Sequence, residues 1–339
     1  MRAFRYRPDP FTLALLATVT LASLLPARGA AAAGFDVATD AAIALLFFLH
    51  GARLSRAAIL AGATHWRLHL AIVASTFALF PLLGLALKPL AGALLTPELY
   101  AGVLFLCALP STVQSSIAFT SLAGGNVPAA VCAASASNLL GIFLTPLLAS
   151  ALLAAHGGMA APLAAVRDIV LLLLVPFVTG HLLRPWLGGW AERHRRLLRY
   201  TDQGTVLLVV YSAFGAAVVA GLWRDTPPAA LAGTVVVAAL LLGCVLAVTA
   251  WAGQRLGFAR ADRIALQFCG SKKSLASGVP MAKLLFAGQA GGLGAIVLPV
   301  IVFHQLQLIA CAAIAQRYAA QARRAPTPAE AEESADLAD

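Results

Sequence analysis

The chain of 339 residues is 60% hydrophobic and 11% charged, has a mean hydropathy of +0.86 and carries a formal net charge of +10. Soluble domains carry about 25% charged residues. The apolar residues here fall in runs near the roughly 20 residues that cross a hydrocarbon core, which excludes an ordinary soluble fold. The basic residues lie between those runs, so the charge reads as loop topology and not as a nucleic-acid surface; the expected partner is a lipid bilayer, with no nucleic acid.

Ten membrane segments are predicted in chain order, at Phe11–Pro26, Thr39–Leu54, Leu68–Leu87, Leu99–Leu122, Pro128–Ala154, Leu163–Leu187, Thr201–Trp223, Ala229–Gly257, Ile264–Phe286 and Leu293–Arg317. Runs rich in Ala, Leu and Val with short Gly and Pro breaks suit helices and not a β-barrel, because lipid offers the backbone no hydrogen-bond partner. Residues 1–318 are therefore one transmembrane domain, and residues 319–339, rich in Ala, Glu and Pro, are expected to be a disordered cytoplasmic tail. Cys107, Cys132, Cys244, Cys269 and Cys311 lie in apolar runs without metal-ligand spacing and read as small buried apolar side chains. No metal site and no cofactor is expected.

The charges test this layout. With both termini in the cytoplasm, seventeen of the 24 Lys and Arg residues lie on the inner side, five on the outer side, and Lys272 and Lys273 inside segment nine. That bias places the chain in a bacterial inner membrane with N-terminus and C-terminus inside. The opening Arg2–Arg7, apolar stretch and Ala30–Ala33 also fit a cleaved signal peptide, a processing that leaves the orientation unchanged.

An internal repeat favours the uncleaved form. Segment four is interrupted at Pro110 and segment nine at Gly270, 160 residues on, and the segments flanking them start at matching offsets. Two groups of five helices, about 11–155 and 163–317, then have opposite orientations, the inverted-repeat plan of secondary transporters. Segment six needs segment one as its partner.

Polar residues inside a bilayer are costly and face a cavity or the bundle interior. They concentrate in segments four, five, nine and ten: Gln114, Ser115 and Ser116, with Asn126 just beyond; Asn138; Lys272, Lys273 and Ser274; and His304. A helix broken in mid-membrane leaves free N–H groups at one end and free C=O groups at the other, with partial charges to match. Pro110 lacks an N–H and Gly270 is a weak helix former, so two crossing breaks make a site for a polar solute. The plainer alternative is two packing kinks.

Lys272 and Lys273 are the sharpest feature. Either they are interfacial because segment nine starts later, or a lysine takes the place of a cation, pairs with an anionic solute, or exchanges protons as the coupling ion. Asp36, Asp40, Asp168, Asp202, Asp225 and Asp262 fall at segment ends or in loops, so no carboxylate neutralises the lysines. His50, His181 and His304 are isolated from one another and read as buried hydrogen-bonding groups. Ser115 or Ser116 beside Lys272 is also the composition of a Ser–Lys hydrolytic pair, although no enzyme is expected.

Four stretches carry a resemblance: Ala44-Leu45-Leu46-Phe47-Phe48-Leu49-His50-Gly51-Ala52-Arg53-Leu54, the turn Gly124-Gly125-Asn126, Leu144-Thr145-Pro146, and Phe268-Cys269-Gly270-Ser271-Lys272-Lys273-Ser274. From about Asp9 to Arg317 the chain resembles the bile acid:sodium symporter superfamily, most nearly its SBF-like subgroup. The resemblance implies a panel of segments one, two, six and seven, and a core of segments three to five and eight to ten in which broken helices four and nine cross. The symporters of the family carry a glutamate at the segment-nine break and a glutamine four residues on; aligned on Gly270, those positions are Phe268 and Lys272. Their Ser-Asn pair falls on Ser115 and Ser116, and their segment-five hydroxyls on Ala130 and Ala134. Sodium coupling at those positions is not expected. The expected function is a secondary transporter for a small organic anion, a carboxylate or sulfonate; the alternative is a non-transporting regulator of ion homeostasis, since eukaryotic members of the subgroup are linked to calcium regulation.

Overall fold

The computed structural model describes residues 10–53, 65–155, 163–286 and 292–324. Every regular element among them is helical: α1 Pro10–Leu24, α2 Ala30–Arg53, α3 Trp66–Ala74, a π-helical turn Ser75–Leu79, α4 Phe80–Ala86, α5 Lys88–Leu94, α6 Pro97–Ala108, α7 Gln114–Leu122, α8 Val127–Ala155, α9 Leu163–Leu182, α10 Arg184–Arg193, α11 Arg195–Val219, α12 Leu222–Asp225, α13 Pro228–Arg255, α14 Arg260–Gly270, α15 Leu275–Leu285 and α16 Gly292–Arg324. Six of the described helical stretches are long and apolar enough to cross a membrane, with shorter apolar helices beside them.

The burial pattern is that of a protein solvated by lipid. Leu24, Val37, Leu82 and Trp186 point outward, while Ser111, Ser271, Lys272, Lys273 and Gln307 are almost fully enclosed. Hydrocarbon solvates leucine as well as a protein core does, whereas polar groups must find partners inside.

Several boundaries differ from the sequence reading, each for a local reason. α2 begins at Ala30 and not Thr39, because Ala30–Ala33 is a strong helix former, so Asp36 and Asp40 lie within the helix. α11 begins at Arg195, before the apolar run, so Asp202 lies inside a helix and is buried. α16 runs to Arg324 through an alanine-rich stretch without a breaker, six residues into the expected tail; residues 325–339 lie outside the described residues. Cys244 is exposed on α13, whereas the other four cysteines are buried.

Helix α2 packs on α9 and α11, α1 packs on α11, and α11 also contacts α15 and α16. The contact between α2 and α9 is made by glycines. A Cβ on Gly51 would overlap the Phe177 carbonyl oxygen, and one on Gly180 the Phe48 carbonyl oxygen. Small residues let backbones close to this distance, the usual device where no hydrophobic force drives helices together. Gly180→Leu is therefore expected to cost on the order of 1–3 kcal/mol or more, read as a lower melting temperature in detergent; an unchanged melting temperature would show that the two helices are not pinned there.

Candidate functional site

Two spans are interrupted, between α6 and α7 at residues 109–113, and between α14 and α15 at residues 271–274. The interruptions touch. The Ser274 amide donates to the Pro110 carbonyl (2.8 Å), the Ser111 hydroxyl to the Cys269 carbonyl (2.6 Å) and the Ser116 hydroxyl to the Phe268 carbonyl (3.1 Å). From α8, Ser137 accepts from the Ser111 amide at 3.0 Å, and Asn138 donates to the Ser111 carbonyl at 2.8 Å.

Lys273 closes this crossing. The residue is 1% exposed, and its ammonium donates to the carbonyls of Thr76 (2.7 Å), Cys107 (2.8 Å) and Leu109 (2.7 Å). Each acceptor is free for a traceable reason. In the π-helical turn the Phe80 amide bonds back to Ser75, five residues earlier. The next bond in that register would run from residue 81 to Thr76, but residue 81 is proline and has no N–H. Cys107 and Leu109 lie at the C-terminal end of α6, where carbonyls lack helical partners and carry partial negative charge. The backbone of Lys273 is held from α16: its amide donates to Gln307 Oε1 and its carbonyl accepts from Gln307 Nε2, both at 2.9 Å.

Lys272 is equally enclosed but differently housed. Its ammonium has no hydrogen-bond partner among the described residues and sits 4.0 Å from the centre of the Phe119 ring and 5.5 Å from that of Phe268. The Ser–Lys hydrolytic arrangement does not form: Ser115 and Ser116 engage Thr112 at 2.7 Å and 3.1 Å, and neither bonds Lys272. Among the described residues no group of three or more His, Cys, Asp or Glu is placed to hold a metal ion.

Beside the crossing lie two adjoining cavities of about 160 Å³ each, sharing His50, Val113, Gln114, Asn138, Asp202 and Ser277 in their walls. Of the residues expected at a site, Gln114, Ser115, Asn138, Ser274 and His304 are brought to these walls. The other four are not. Lys272 and Lys273 stand behind the wall, Ser116 is a strut on the Phe268 carbonyl, and Asn126 lies in the turn before α8, donating to Asp262 at 2.7 Å and accepting from the Ala129 amide at 3.0 Å. Asn126 is a loop clasp and helix cap, because the Gly124-Gly125 turn carries it out of the bundle.

The opposite wall holds residues that sequence reasoning missed. Arg53, at the end of α2, grips Asp202 of α11 through two bonds of 2.7 Å and 3.0 Å. His50 and Gln203 lie beside them. A signal existed: Arg53 lies near the end of predicted segment two and Asp202 near the start of predicted segment seven, and their charges are opposite. A third cavity of about 610 Å³ shares Arg53, Val113, Gln114 and Ser135 with the inner ones and is walled by Arg184, Arg195 and Arg199, with Glu192. At the other end of α2, Lys283 of α15 pairs with Asp40 at 2.9 Å and Asp36 at 3.4 Å, joining the two groups of helices there.

The profile of the SBF-like CPA transporter family matches residues 9–320. The chain belongs to this transporter family. A Pseudomonas aeruginosa protein named only as uncharacterized is 60% identical over 315 residues, covering 93% of this chain and 94% of that protein. "Putative symporter YfeH" of Escherichia coli is 52% identical over 338 residues, covering both chains fully. "Sodium/bile acid cotransporter 7" of Rattus norvegicus is 27% identical over 311 residues, covering 90% of this chain and 91% of that one. With its apolar helices, this family member is a multi-pass membrane transporter.

The two lysines predict opposite mutational outcomes. Lys273→Met strips three carbonyls of their shared donor, at about 1–3 kcal/mol for each group left unsatisfied, and should sharply lower the melting temperature or the folded yield. Lys272→Met removes an amine without hydrogen bonds and forfeits a ring contact of about 1–2 kcal/mol, and should be tolerated. Thermal unfolding in detergent checks both; equal losses would contradict the distinction.

Proposed function

We propose that the chain is a secondary transporter that carries a small organic anion across a bacterial inner membrane by alternating access, without sodium and with protons as the coupling ion. The observation that carries this reading is the pair of half-helix starts at the inner cavities. Val113 and Gln114 lead into α7, which has no side-chain cap, and Ser274 and Leu275 lead into α15; all four line the cavity walls. Helix starts carry partial positive charge. The carbonyl ends of the same breaks are consumed by Lys273, Ser111 and Ser116. What faces the cavity from this side is therefore donor-rich, and Gln114, Ser115, Ser274 and His304 are the residues proposed to contact the solute, while Asn138, whose amide donates to the Ser111 and Ala134 carbonyls, holds the wall in place. Lys272 and Lys273 add positive charge from behind the wall when protonated; Ser116 and Asn126 serve the framework.

The Lys273 ammonium supports independence from sodium. Three carbonyl oxygens converging at a broken helix are what a bare monovalent cation would seek, and here the chain supplies the cation itself. The architecture proposed for this transport is ten spans in two inverted five-helix repeats, about 11–155 and 163–317, with α6–α7 and α14–α15 as the broken fourth and ninth spans. A panel of segments one, two, six and seven rocks against a core of segments three to five and eight to ten. The Lys283–Asp40 contact closes one end, and the arginine-walled chamber, placed in the cytoplasm by the charge bias with both termini, opens the other.

Uptake of a panel of carboxylates and sulfonates into proteoliposomes tests this reading. A proton gradient should drive uptake, a sodium gradient should not, and the double variant Gln114→Ala, Ser115→Ala should lower it by about tenfold or more through loss of hydrogen bonds worth about 1.5–3 kcal/mol to a charged group. Sodium-driven uptake would overturn the coupling. Failure of every anion to move or bind would favour a non-transporting membrane regulator.

A further inference from the structure

The polar pair on the panel side is built like a binding site that already contains its ligand. Arg53 and Asp202 come from different helices and meet in a two-pronged guanidinium–carboxylate contact of 2.7 Å and 3.0 Å. The Arg53 side chain is 27% exposed and that of Asp202 only 6%. A second guanidinium nitrogen of Arg53 also reaches the Leu198 carbonyl at 3.4 Å, while its Nε is buried without a partner among the described residues. Arg53 lines both an inner cavity and the outer chamber, so it stands where the two meet. Across the inner cavity lies the uncapped start of α7, at Val113 and Gln114. The outer chamber adds three further arginines, Arg184, Arg195 and Arg199, against one carboxylate, Glu192.

Among the described residues the ionisable groups around Asp202 are few. From α2 they are Arg53 and His50, and across the cavity from α16, His304. On its own helix Arg195 and Arg199 face the outer chamber, as do Arg184 and Glu192 of α10. Helix α1 carries no ionisable side chain, and the Lys283 of α15 is engaged at the far end with Asp36 and Asp40.

Resting on the organic-anion reading above, we infer that Arg53 is the anion-binding residue of the panel wall and that Asp202 occupies it between transport cycles, so that an anion is admitted to Arg53 together with one proton on Asp202. The charge balance requires the proton. The enclosed Arg53–Asp202 pair is neutral. A carboxylate or sulfonate that displaces Asp202 from the guanidinium leaves a net negative charge and an unpaired buried carboxylate, which a poorly solvated site penalises heavily. A proton taken from the water of the outer chamber onto a carboxylate oxygen of Asp202 restores neutrality. The guanidinium–Asp202 contact then breaks, the guanidinium–solute contact forms with the same two-pronged geometry, and the proton travels with the anion. Coupling is thereby assigned to a carboxylate–arginine exchange on the panel, away from the two lysines of the core.

The test is rescue of the exchanged carboxylate by formate in the purified full-length protein, beside uptake in proteoliposomes. In Asp202→Asn the guanidinium has lost its partner, and formate should raise the melting temperature by about 2–4 °C at tenfold its dissociation constant. Wild-type protein near neutral pH should show no such shift and should acquire one as the pH is lowered. The double variant Arg53→Gln, Asp202→Asn, which leaves no unpaired charge and so keeps a readout if the single variant folds poorly, should not respond at any pH. A formate response that survives Arg53→Gln, or an Asp202→Asn variant that folds and ignores formate, overturns the inference. The two readings fail separately. Organic-anion uptake that persists unchanged in Arg53→Gln sinks this inference alone. The predicted formate responses without uptake of any carboxylate or sulfonate sink the transport reading and leave the Arg53 site standing.

Discussion

A buried ammonium with no carboxylate partner must be held by dipoles, which among the described residues is the case of Lys273, and the rest of this molecule is arranged around how that is done. Its three carbonyl partners come from separate places: Thr76 in a π-helical turn, and Cys107 and Leu109 at the end of α6. Pro81 frees the first and the break around Pro110 frees the others. One charged group thus ties the turn after α3, the end of α6 and the unwound stretch 271–274 into a single register, with the amide of Gln307 fixing the backbone of Lys273 from a fourth direction. Left alone, those carbonyls and that ammonium would each be intolerable in hydrocarbon.

The consequence for the cavity is one of sign. A broken helix exposes acceptors on one side of the gap and donors on the other. Here the acceptors are spent on Lys273, Ser111 and Ser116, inside the packing. The donor ends, at Gln114 and Leu275, are left beside open space. The internal cation therefore shapes the site indirectly, by absorbing negative ends that would otherwise attract metal cations. On the facing wall Arg53 is paired with Asp202, the one carboxylate among the described residues that line the inner cavities, so each wall presents a positive feature. The family profile and the relatives' names support transport in general; the proposal of an anionic solute rests on the arrangement of dipoles.

Much of this was legible in the sequence. Apolar runs of membrane length and the interruptions at Pro110 and near Gly270 are one-dimensional signals, because hydrocarbon thickness and the proline ring act on local stretches of chain. The polar character of the fourth, fifth, ninth and tenth segments was legible for the same reason. Gln114, Ser115, Asn138, Ser274 and His304 were identified by being costly where they stand, and they line the cavities.

What the tertiary structure decided was which polar residue serves which purpose. Lys272 and Lys273 are neighbours of one type, yet one rests on an aromatic ring and the other caps three carbonyls from elements more than 150 residues away. Sequence cannot separate them, because the difference lies in the partners. Asn126 looked like its polar neighbours and proved to be a clasp on Asp262. Asp202 looked peripheral until α11 began at Arg195 and turned its carboxylate toward Arg53, 149 residues earlier. Composition and local stereochemistry determined that the chain spans a membrane, where it breaks and which segments are polar. The pairing of charges and dipoles across the bundle, which depends on distances between remote segments, was settled only by the fold.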